Sequence, residues 1–192
     1  RVVFGSNLGM EAFDRYRGLD RAYLNFQAEY QFRRSGEFSA PLWGAFVRQG
    51  VDWYKSNLRD GYRSSAGLSV RLPATDRIFL FGALSYNLRD GRSKVFDTEE
   101  YSLRGNIDYS LPERQTAYLG LEVRQGDIVS TARPQLKYLD IAEVLILDDV
   151  FTDTTRYSYR IKAATTLLTL GYNVGVAQRA SLDLAWRVAY SR

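Results

Sequence analysis

Acid–base chemistry in this 192-residue chain would have to come from carboxylates and guanidinium groups, because it holds 22 Asp and Glu, 26 Lys and Arg, and neither histidine nor cysteine. Thiolate zinc sites, Ser-His-Asp and Cys-His nucleophile systems and His-ligated haem are thereby excluded, as is a disulfide framework. The one carboxylate pair that suggests acid–base work is Asp108 with Glu122, beside Arg104 and Arg124. Charge pairing on a polar wall accounts for the same four residues without chemistry. Asp148, Asp149 and Asp153 form a second acidic group, which would either attract a divalent ion or stand as a solvated stretch. "RDGRS" has the glycine of a turn without the context of a phosphate loop. No catalytic residue, cofactor or metal is therefore expected, and the chain reads as a non-enzyme.

Strands must carry these charges. In "YSLRGNIDYSLPERQTAYLGLEVR", Tyr101, Leu103, Gly105, Ile107 and Tyr109 alternate with Ser102, Arg104, Asn106 and Asp108. Beyond the break at Pro112, Ala117, Leu119, Leu121 and Val123 alternate with Tyr118, Gly120, Glu122 and Arg124. Period-two alternation marks strands with one apolar face, and the short Pro-containing break marks a hairpin. Seven further segments repeat the pattern, giving nine strands. Their polar faces collect Glu29 and Arg33, Arg48 and Asp52, Arg63 and Arg71, and Asp183 and Arg187. Their apolar faces collect Trp43, Trp53, Tyr172, Trp186 and Tyr190. Gln49 is a polar misfit on an apolar face, and Phe79 and Phe81 blur the start of their strand.

Residues 1–192 read as one domain. Short connections ("LPATDR", "LPERQ", "GVAQRA") alternate with longer polar ones, of which residues 130–156 are the longest. Within that segment "DIAE" reads as a capping box, Asp140 as N-cap and Glu143 three residues later, opening a short helix through Leu147. An apolar helix on a loop has to bury itself: in the mouth of the sheet, on neighbouring loops or against a partner.

Three features turn the apolar faces toward lipid rather than into a soluble core. The pattern holds for about ten residues per strand, against roughly five or six in soluble sheets. Trp43 and Trp53 lie ten residues apart, which at ~3.3 Å per residue and a tilt near 40° spans about 25 Å, the height of a membrane barrel's apolar band. The polar faces mix arginine with carboxylates, as a desolvated interior favours. Aromatic and basic residues on opposite faces also argue against a nucleic-acid-binding sheet, where they share one.

With its dyad strands, "LPATDR" and "LPERQ" turns and Tyr/Trp girdles, the chain resembles bacterial outer-membrane β-barrel proteins along nearly its whole length. The resemblance implies an all-β, up-and-down antiparallel transmembrane barrel of about ten strands in the cell outer membrane of a Gram-negative bacterium. Short turns would face the periplasm and longer loops the outside. Lipid and lipopolysaccharide would surround it, and the 130–156 loop would offer a surface to a protein partner. The known small-barrel enzymes have histidine in their sites, so their activities do not carry over. The leading expectation is a narrow, arginine-lined, porin-like passage for small solutes or ions. The alternatives are a plugged barrel whose outer loops bind a partner and, more weakly, a histidine-free enzyme. Nine strands cannot close an all-antiparallel barrel, so a tenth is expected after Arg192 or from another chain.

Overall fold

The computed structural model describes residues 1–133, 141–151, 156–177 and 180–192. It is all-β, a single antiparallel sheet in which each long strand pairs with the next: β1 (Val2–Glu11), β2 (Arg21–Arg33), β3 (Leu42–Tyr54), β4 (Gly61–Pro73), β5 (Ile78–Gly91), β6 (Thr98–Leu111), β7 (Gln115–Ala132), β9 (Tyr157–Ala177) and β10 (Ala180–Ser191). These nine correspond to the nine segments of alternating sequence. A tenth, β8 (Val144–Leu147), pairs with β9 off this path. The sheet is not closed: β1 pairs with β2 and β10 with β9, and they do not pair with each other. Because each step along the meander reverses direction, β1 and β10 run parallel.

β8 corrects the expected helix. Val144–Leu147 is four residues of β-branched and leucine side chains that lay down antiparallel on Arg160–Tyr157 of β9. The edge it covers continues past the point where β10 stops, at Ser191 opposite Thr165. An available edge outweighs the local helix signal. Asp140, the expected N-cap, lies outside the described residues; Glu143 pairs instead with Arg160 at 3.5 Å and Lys162 at 3.8 Å. The expected 130–156 loop is also shorter than it reads, since β7 runs to Ala132 and β8 occupies part of it.

β7 and β9 pair over 18 residues and project beyond their neighbours at one end. At the base of the projection stands Gly126, whose φ of 148° few side-chain-bearing residues adopt and whose Cβ, if present, would collide with the Glu99 carbonyl oxygen. Connections at this end follow β1, β3, β5 and β7 and include the longest, between β7 and β9, although the β2–β3 connection (34–41) at the opposite end exceeds those after β3 and β5; we term it the loop end. Connections at the opposite end include the tight β6–β7 turn, where Glu113 (φ 60°) and Arg114 (φ 58°) take left-handed conformations.

Candidate functional site

The register sorts every candidate residue onto one of two faces. Glu29, Arg33, Arg48, Asp52, Arg63, Arg71, Arg104, Asp108, Glu122, Arg124, Asp183 and Arg187 all share one face. That face is concave: a cavity of about 840 Å³ is lined by strands from β1 to β7, with Asn7 on one side and Arg124 on the other. Two adjacent cross-strand rows form its wall. One runs Gly5–Gln27–Arg48–Ser65–Asn87–Glu100, the other Asn7–Asn25–Gly50–Arg63–Arg89–Thr98. Neither row carries an apolar side chain. Toward the turn end the same face holds Phe46, Phe79 and Phe81.

Six charges on this face, Glu11, Arg21, Glu29, Asp52, Arg63 and Arg71, form ion pairs between strands, and Glu122 pairs with Arg124 within β7. Arg71 donates to Glu29 Oε1 at 2.6 Å, and Arg21 makes a forked contact with Glu11 at 2.8 and 2.9 Å. Asp52, 1% exposed, is held by Arg63, whose Nη2 donates to Oδ1 at 2.9 Å. Arg63 Nε also lies 2.6 Å from Asp52 Oδ2, an ion pair without hydrogen-bond alignment. Glu122 accepts from Arg124 at 2.8 Å and Ser102 at 3.0 Å.

Of the same-strand pairs suggested by sequence, only Glu122 with Arg124 forms. Asp108 accepts from Asn106, Asp183 from Tyr118, and Arg187 donates to Thr169. Arg48 lies over the Phe46 ring at 4.5 Å and, like Arg104, has no ion pair among the described residues. Asp108 sits opposite Tyr118, four residues along β7 from Glu122. That places the two carboxylates ~13 Å apart at ~3.3 Å per residue, too far for a shared acid–base site. Phe46 was not singled out by its sequence position: it is buried on the polar face, packed over Gly67.

The convex face is the reverse. Trp43, Trp53, Tyr101, Tyr109, Tyr172, Trp186 and Tyr190 all lie there, and six of the seven are exposed; Tyr172 is intermediate and donates to Gln115. Among the described residues 36 large hydrophobic side chains are exposed against six buried hydrophobic residues, so this sheet does not enclose an apolar core. Leucine rows such as Leu68–Leu84–Leu103 run between the aromatics. The misfit Gln49 accepts from Ser64 at 2.7 Å on the same face, so the two polar side chains satisfy each other.

The densest packing lies at the loop end, where four connections converge. Arg59, in the β3–β4 connection, grips Asp148 just beyond β8 with two donors at 2.9 and 2.5 Å, and Ser158 also donates to Asp148. Arg59 stacks on Phe96 of the β5–β6 connection. Ser56 donates to Asp149 at 2.5 Å, Val150 packs on Gly18, and Tyr16 meets Phe151 edge-on at 5.4 Å. The segment after β8 thus reaches the β1–β2 and β3–β4 loops as a cap across the loop end. Asp148 is 1% exposed, so it is no solvated residue as the sequence suggested; Asp153 lies outside the described residues. Burial disfavours its charge. The Arg59 and Ser158 hydrogen bonds, the Arg59 charge and the Val150 amide nevertheless hold its carboxyl below the usual carboxylate range.

These features define a class: an open antiparallel meander with a charged concave face, an apolar convex face and a loop cap at one end. Comparison with family models, with curated proteins and with solved structures gives no match.

Proposed function

We propose that the protein is an integral β-barrel of the Gram-negative outer membrane, whose concave face forms a narrow arginine-lined passage for small solutes or ions. The observation that carries this reading is the inversion of polarity, with paired charges inside the curve and bare leucine and tryptophan outside it. In water that arrangement forfeits the burial that drives folding; against acyl chains the convex face is already solvated. The convex surface would meet lipid and lipopolysaccharide, with the tight turns toward the periplasm. The free edges of β1 and β10 require pairing in a bilayer, where unsatisfied backbone groups are costly, and a strand between them would be antiparallel to both.

The cap supports a second reading, a plugged barrel whose loops hold a surface partner. Planar-bilayer conductance of the purified protein separates the two. The passage reading expects a small, mildly anion-selective conductance that rises when residues 136–152 are deleted. Arg104→Glu should shift its selectivity toward cations, because it reverses a positive charge of the concave face that forms no ion pair among the described residues. Insertion without conductance, cap present or deleted, leaves the plugged barrel. Failure to insert removes both.

A further inference from the structure

Resting on the passage reading, we infer that the polar cavity is a binding site for a hydroxyl-rich small molecule carrying a single negative charge, of the sugar-acid class. The two cavity rows present amide, hydroxyl and guanidinium groups that can hydrogen-bond a ligand; Phe26 and Leu88 also line the cavity, although their register puts them on the opposite face. About 840 Å³ is ample for a monosaccharide derivative and falls within the roughly 300–1,000 Å³ of small-molecule sites.

The charge follows from which arginines are already used. Arg63 is neutralised by Asp52 and Arg124 by Glu122. Arg48 lines the cavity and stacks on Phe46, with no ion pair among the described residues. Arg89 donates to the Arg59 carbonyl at 3.0 Å, but its buried Nε has no partner among the described residues. Set against these two cations is Glu100, which accepts from Asn87 at 3.2 Å. The balance is one positive charge, which suits one carboxylate held by an arginine fork. Asn7 and Gln27 supply paired donors and acceptors of the kind that hydroxyl groups satisfy.

Calorimetric titration of the full chain in detergent micelles tests this with D-gluconate, glucose and acetate. Gluconate should bind saturably, and glucose (hydroxyls without charge) and acetate (charge without hydroxyls) at least about tenfold more weakly. Arg48→Gln should weaken gluconate binding about tenfold. Asn7→Leu, on the edge strand, should weaken it about fivefold and serves if Arg48→Gln fails to fold by circular dichroism. Absence of saturable gluconate binding overturns the inference, as does equal binding of glucose or acetate, or unchanged affinity in the folded variants. A protein that conducts but does not bind gluconate refutes the site and keeps the passage; one that binds gluconate but does not insert does the opposite.

Discussion

Leu103→Arg and Ile107→Arg are expected to block folding into lipid vesicles, while Arg104→Glu, between them in sequence, folds normally. Leu103 pairs with Leu84 and Val123, and Ile107 with Leu80 and Leu119, all on the convex face. Both are exposed. On a soluble protein, an arginine replacing an exposed apolar residue usually changes stability by less than about 0.5 kcal/mol. At the midplane of a bilayer it costs roughly 2–4 kcal/mol, enough to remove much of a typical folding free energy. Urea titration of folding in vesicles reads the difference directly. If Arg104→Glu is the lethal change and the two arginine insertions are silent, the faces have been assigned the wrong way round.

Asp148→Ala is expected to release the cap. It leaves Arg59, 8% exposed, as a buried cation without its carboxylate, and breaking such a pair from one side costs roughly 3–5 kcal/mol. Replacing both partners with leucine should cost far less, since no buried charge remains. Hydrogen exchange or limited proteolysis of residues 143–151 is the appropriate readout, because the β1–β7 ladder does not depend on this contact. The pH response has a definite sign. The folded carboxyl titrates below the ordinary range, so its stabilisation is complete above that range and is lost as pH falls through the lowered value. The cap should therefore still be closed at about pH 5 and open only in stronger acid.

The sheet was legible because a period-two pattern fixes both element type and face, as the common face of the charged residues from Glu29 to Arg187 illustrates. A one-residue slip would reverse every assignment. Partnerships were not legible. Arg48 and Asp52 are four apart on one strand, yet Asp52 pairs with Arg63 from β4 because the hairpin register brings them together. The Arg59–Asp148 grip joins residues 89 apart through connections whose shape no local pattern encodes. At β8, "DIAE" carried a sound helix-start signal, overridden by an edge of β9 that exists only once the sheet has formed.

The central claim, that the convex face meets acyl chains, is most directly tested by the protein's own fluorescence. All three tryptophans, Trp43, Trp53 and Trp186, lie on the convex face and are exposed, so the whole indole signal reports on that surface. In vesicles made with brominated acyl chains the emission should be strongly quenched, and aqueous iodide should have little effect. Emission untouched by the brominated chains but quenched by iodide would contradict the account.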